Sequence, residues 1–114
     1  MILGDCFQAA GRYLLNHEHD TGVVLVHGII NGEGSLKDRR ICHAWIELDD
    51  LVVHDPSNGY DLVLPKVLYY LRGRVRPAEC HYYTPDEAHA MSVAHGHSGP
   101  WAHALVLLAE AQLQ

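Results

Sequence analysis

Between residues 6 and 16 the apolar positions Phe7, Ala10 and Leu14, joined by Ala9 and Tyr13, recur at three- and four-residue spacings, which predicts an amphipathic helix. Asp5 followed three residues later by Gln8 has the pattern of a capping box, making Asp5 the N-cap and Cys6 the first helical residue. Residues 17–22 are polar and end in glycine, a loop by composition. The β-branched run over 23–30 predicts a short, largely buried strand. After a glycine-rich turn at 31–35 and a charged approach from Leu36 to Arg40, a second strand is expected over 41–48. A tight turn at Asp49-Asp50 then leads to a third, 51–55, closed by Pro56-Ser57-Asn58-Gly59.

The second half is more helical. Pro65 in front and Gly73 behind bracket a short helix ending near Leu71. Residues 75–83 read as extended. Thr84-Pro85-Asp86-Glu87 combines an N-cap, a first-turn proline and a capping-box glutamate, so a helix should start there, run to about His95 and stop at Gly96. Residues 97–99 link it to a last Ala- and Leu-rich helix over 100–112, and no internal repeat is present. The expected fold is α+β, one domain over 1–114, with the Cys6 helix packed on a small antiparallel sheet and the later helices covering it.

Composition narrows the setting. At 114 residues the chain suits a single core, and 48% apolar with 19% charged residues argues against extended disorder. A formal net charge of −6 without a basic run argues against nucleic acid or an anionic membrane as partner. No apolar segment approaches spanning length, and the first five residues do not resemble a signal peptide, so a cytoplasmic protein is expected. Cys6, Cys42 and Cys80 are odd in number and lack CxxC spacing, as expected of reduced thiols rather than a disulfide framework.

Three positions suggest chemistry. A thiol attacks a carbonyl when a base handles its proton, and an imidazole does this best when a carboxylate fixes its tautomer and orientation. Cys6 at a helix start, where unpaired N–H groups favour a thiolate, is followed by His43 in His43-Ala44-Trp45-Ile46-Glu47 and by Asp55 in His54-Asp55-Pro56. The partnership depends on strand parity. A three-residue loop at Asp49 puts His43 opposite Asp55 on one face; a two-residue loop pairs Ala44 with Asp55 and turns His43 away, unless a bulge restores the match. The competing reading makes Cys6 and His43 packing residues and Asp55-Pro56 a turn.

A cysteine at a helix N-terminus, a His-Ala-Trp-hydrophobic-Glu strand and a following strand that ends in Asp-Pro together resemble the papain-like and transglutaminase-like superfamily of thiol enzymes. Over roughly the first half of the chain, the resemblance implies Cys6 as nucleophile, His43 as general base and Asp55 as the orienting acid. It also implies a peptide, protein or small amide substrate, attacked without a cofactor. Unlike papain, the chain has no glutamine upstream of the cysteine, so an oxyanion hole would need the Cys6 N–H plus Gln8 or a donor near Gly4. Trp45 shares parity with His43, as cleft wall or as core, and with Gln8 is the expected substrate-binding residue; Cys42 has the opposite parity, hence buried and inert.

Other features carry less. Ten histidines, including His17-x-His19 and His95-x-His97, raise a metal-binding alternative, but no recognised zinc spacing occurs and no metal ligand set is assigned. A binding module with the same fold but no catalysis is the other alternative. Glu47 reads as a solvated strand end. Arg72, Arg74 and Arg76 alternate, so an extended backbone would put them on one face, as an edge-strand stripe or a receiver of carboxylates.

Overall fold

The computed structural model describes residues 5–17, 19–32, 34–57 and 62–112. Its elements, in order, are α1 (Asp5–Asn16), β1 (Val23–Asn31), β2 (Arg40–Leu48), β3 (Val52–Asp55), β4 (Leu62–Pro65), α2 (Lys66–Arg72), β5 (His81–Tyr83), α3 (Pro85–His95) and α4 (His103–Gln112). The five strands form one antiparallel sheet in the order β4-β3-β2-β1-β5. The architecture is therefore α+β, with helices on both faces of the sheet. The expected capping box at Asp5 and the turn at Asn58-Gly59 involve groups outside the described part.

Alternation along β1 and β2 divides the core in two, because successive strand residues point to opposite faces. Leu25, Cys42, Ala44 and Ile46 face α1, α3 and α4, packing with Phe7, Ala10, Leu14, Ala88, Trp101 and Leu105. Val26, Trp45 and Val53 face the other way, onto Tyr69 of α2 and onto Val75. The helical spacing of Phe7, Ala10 and Leu14 gives α1 its buried stripe; all three are under one-tenth exposed.

Several expectations hold to within a residue or two. Thr84 caps α3 with both capping-box hydrogen bonds made, and Gly96 ends the helix in the left-handed conformation. Pro65 precedes α2 and Gly73 follows it. Two expectations fail. Residues 75–83 are not one strand: Pro77, which has no N–H for a ladder, heads a single 3-10 turn at Pro77–Glu79, and only His81–Tyr83 pairs with β1. The arginines do not form a strand stripe, because Arg72 closes α2 and Arg74 has φ 48°. The strand β4, not foreseen in the sequence, pairs with the outer edge of β3.

The β2–β3 connection settles the parity question. Asp49 and Asp50 both have positive φ, 54° and 58°, and Leu51 N–H donates to the Leu48 carbonyl at 3.0 Å, as in a two-residue type I′ turn. The ladder nevertheless starts at Leu48 opposite Val52, so Leu51 is an extra, unpaired residue in this ladder. That residue puts Asp55 on the His43 side of the sheet. The ladder ends at Ile46 opposite His54, and on the same count Asp55 would fall opposite Trp45, which makes His43 and Asp55 diagonal neighbours rather than directly opposite.

Candidate functional site

His43 lies near the start of β2, opposite Gly28 of β1. Its Nε2 is 2.7 Å from Asp55 Oδ2, both groups being buried. The Cys6 side chain is close enough to the ring to help hold its positive charge. The described ladder between β2 and β3 ends at Ile46 opposite His54. The flank of β2 at His43 is thus clear of β3, where a group from α1 can reach an imidazole on the other face. Cys6, His43 and Asp55, from three separate elements, are brought together in the order Cys6, His43, Asp55.

Asp55 is clamped more fully than its sequence neighbourhood suggested. Oδ1 accepts from Ser57 Oγ at 2.7 Å and Ser57 N–H at 3.2 Å, and Oδ2 accepts from Tyr69 Oη–H at 3.0 Å as well as facing His43. Ser57 was readable, since Asp-Pro-Ser lets an aspartate accept from the residue two positions on. Tyr69 was not, because nothing local says which tyrosine of α2 turns inward.

Charge follows from these contacts. Burial alone would drive the proton off His43; the hydrogen bond to Asp55, and after it the nearby Cys6 side chain, outweigh burial and hold the imidazole up at about 10. Burial alone would likewise raise Asp55, but His43 and Ser57 hold it down at about 2. Both partners shift as an ion pair requires, so an imidazolium beside a carboxylate is the resting state at neutral pH. Burial pushes the Cys42 thiol up to about 12, with Cys6 adding to the effect, in keeping with its inert, opposite-facing position.

Of the two expected substrate-binding residues, Trp45 adjoins His43 as core and Gln8 lies apart. Trp45 has no exposed surface: it stacks behind His43 at a ring separation of 6.3 Å and packs on Tyr69 at 5.2 Å, so it supports the imidazole from the core. Gln8 is exposed and, two residues past Cys6 at about 100° per residue, points to the far side of α1. There it borders a cavity of about 290 Å³ with Gly11, Leu15, Ala88 and Trp101, a cavity that Cys6, His43 and Asp55 do not line. The Gly4 region lies outside the described residues. The Cys6 N–H lies in the first turn of α1, where amides have no intrahelical partner.

Glu47 is not a solvated strand end. It is 3% exposed and accepts from Trp45 Nε1–H at 3.0 Å and from the Tyr70 hydroxyl, while Lys66 Nζ lies 3.1 Å away. This network fixes the indole behind His43. As to metals, His17 is taken by Asp20 at 2.8 Å, and among the described residues no group of three or more His, Cys, Asp or Glu is arranged to hold an ion. No helix of the described residues is long and apolar enough to cross a membrane. In comparisons with protein-family models, curated proteins and solved structures, none matches this chain.

Proposed function

We propose that this protein is a thiol hydrolase or acyl transferase with a papain-like or transglutaminase-like core, acting on an amide, peptide or isopeptide bond through a thioester on Cys6. The observation that carries the proposal is the buried His43–Asp55 pair, 2.7 Å apart, with the Cys6 side chain close enough to the imidazole to help hold its charge. In this reading the Cys6 thiolate attacks the carbonyl carbon, and the Cys6 N–H accompanies the developing oxyanion. The His43 imidazolium gives its proton to the leaving amine as the C–N bond breaks. Neutral His43 then takes a proton from water, or from an acceptor amine, which attacks the thioester; the C–S bond breaks and leaves the Cys6 thiolate beside the restored imidazolium. Asp55 stays ionised throughout and orients the ring. Three unpaired cysteines fit the cytoplasmic setting we propose for it.

A second reading, a non-catalytic binding module, draws on the 6% exposure of Cys6, which admits little more than a small reagent. Intact-mass measurement after limiting iodoacetamide at mildly acidic pH, followed by peptide mapping, separates the two. The catalytic reading expects a single adduct on Cys6, ahead of Cys42 and Cys80, an acetyl adduct at the same position from p-nitrophenyl acetate, and loss of both in a folded His43→Ala variant. Equal labelling of Cys6 in wild type and His43→Ala, or first labelling elsewhere, rejects it.

A further inference from the structure

The helix α2 has two unlike faces. Tyr69 and Tyr70 turn inward to Asp55 and Glu47, whereas Val67 is 76% exposed and Leu71, one turn later on the same face, 75%. Leu51, the extra residue of the β2–β3 turn, is 71% exposed beside them. With Tyr70 and Val75 these side chains form a shallow groove of about 760 Å³. Isolated exposed aliphatics are ordinary, but three large ones lining one concavity mark a surface that is covered by something else.

The rim gives the sign of the occupant. Lys66 is already neutralised by Glu47 and Asp50. The Arg74 guanidinium has no partner among the described residues, its carbonyl alone being used, by Arg40. Arg76 reaches Glu79 only at 4.0 Å, and Glu79 is held more closely by Arg40 at 2.6 Å. Two arginines therefore stand with little or no counter-charge beside an apolar groove, on a chain whose net charge is −6. A second copy fits poorly: a two-fold contact across this face would set Arg74 and Arg76 against their own symmetry mates.

We propose that the outer face of α2, with Leu51 and the Arg74–Arg76 rim, is a docking site for a protein segment whose apolar side chains are flanked by carboxylates. Val67, Leu71 and Leu51 take the apolar anchors, and Arg74 and Arg76 take the acids, an arrangement in which the arginine forks supply orientation and specificity. The assignment is independent of any chemistry at Cys6.

Panning a random peptide display library on the intact protein tests it. Enriched sequences should pair apolar or aromatic residues with Asp or Glu, and a synthetic peptide from the pool should shift the amide resonances of residues 51, 67, 71 and 74–76. The Arg74→Glu/Arg76→Glu double variant should weaken that peptide by about tenfold or more, with binding that falls as salt rises. Leu71→Lys and, as a second variant, Val67→Lys should each abolish it, and both sites are exposed enough for the fold to persist. The proposal is overturned if nothing is enriched, if enriched peptides lack carboxylates, or if the arginine variant binds equally well. Concentration-dependent self-association that Leu71→Lys removes would also overturn it, by making a second copy the occupant.

Discussion

Removing two nitrogen atoms from His27 should make the protein both more stable and less sensitive to acid. His27 lies on β1 with no exposed surface, and neither ring nitrogen has a hydrogen-bond partner. Its neighbours are the rings of Phe7 and Trp101, each 4.8 Å away, and Tyr83 at 5.2 Å, with Gly99 closing over Cε1. Burial, with His81 and His97 adding to it, lowers its pKa from 6.5 to about 3. The folded value lies below the unfolded one, so the unfolded chain binds the extra proton. Stability from this group is intact above pH 6.5 and is lost as pH falls toward 3, at up to about 1.4 kcal/mol per pH unit. Between about pH 6.5 and about pH 4.5 that amounts to roughly 2.5 kcal/mol. His43 and Asp55 do not confuse the measurement. His43, raised to about 10, loses its contribution as pH rises from 6.5 to 10; Asp55, lowered to about 2, loses its own as pH falls from 3.8 to 2. In His27→Phe the unsatisfied nitrogens are gone, which near neutrality is worth about 1 kcal/mol or more, and the acid slope between the two proteins disappears with them. Urea unfolding of both proteins across this pH range gives the difference directly. A difference that does not change with pH, or a folded-state His27 resonance that titrates near 6.5, refutes the reasoning.

Other perturbations have equally defined outcomes. Asp55→Asn removes the largest influence holding His43 protonated, so the His43 titration followed by NMR should move down from about 10 toward 6.5; an unmoved titration would mean that the ion pair is not what sets it. Deleting Leu51 makes the β2–β3 connection a plain two-residue hairpin in which Leu48 still pairs with Val52, so Asp55 keeps its face and the His43 titration should stay raised, near its wild-type value. A fall like that in Asp55→Asn would show that Leu48 no longer pairs with Val52 once Leu51 is gone. Leu105, 1% exposed between α4 and the sheet, should cost about 2–5 kcal/mol in chemical denaturation as Leu105→Ala.

What was legible in the sequence was what is encoded locally. The α3 capping box, the proline and glycine around α2 and the spacing of Phe7, Ala10 and Leu14 each act within a turn or two of chain, and each is realised. The grouping of Cys6, His43 and Asp55 was legible from their order along the chain, and the structure brings the three side chains near one another. Their diagonal register was not, because it depends on one unpaired leucine whose position follows from how the Asp49-Asp50 turn meets the ladder. Glu47 was misplaced, and the choice between cleft wall and core for Trp45 was left open, for a tertiary reason: α2 folds back over β2 and buries both, which no pattern within β2 announces. Pro77 and the positive φ of Arg74 broke an alternation that composition alone made attractive.

Gly28 illustrates a different kind of constraint. It faces His43 across the ladder, and a Cβ there would stand 2.9 Å from the Trp45 ring and 2.8 Å from Cys80 Sγ. Its absent side chain is the space the indole occupies. In a saturation scan position 28 should therefore tolerate nothing, as strictly as a reacting residue, although it has no group to donate, accept or ionise. An ortholog that kept the thiol, the imidazole and the carboxylate but carried alanine here would need a smaller residue in place of Trp45. Position 28 and position 45 should accordingly change together or not at all.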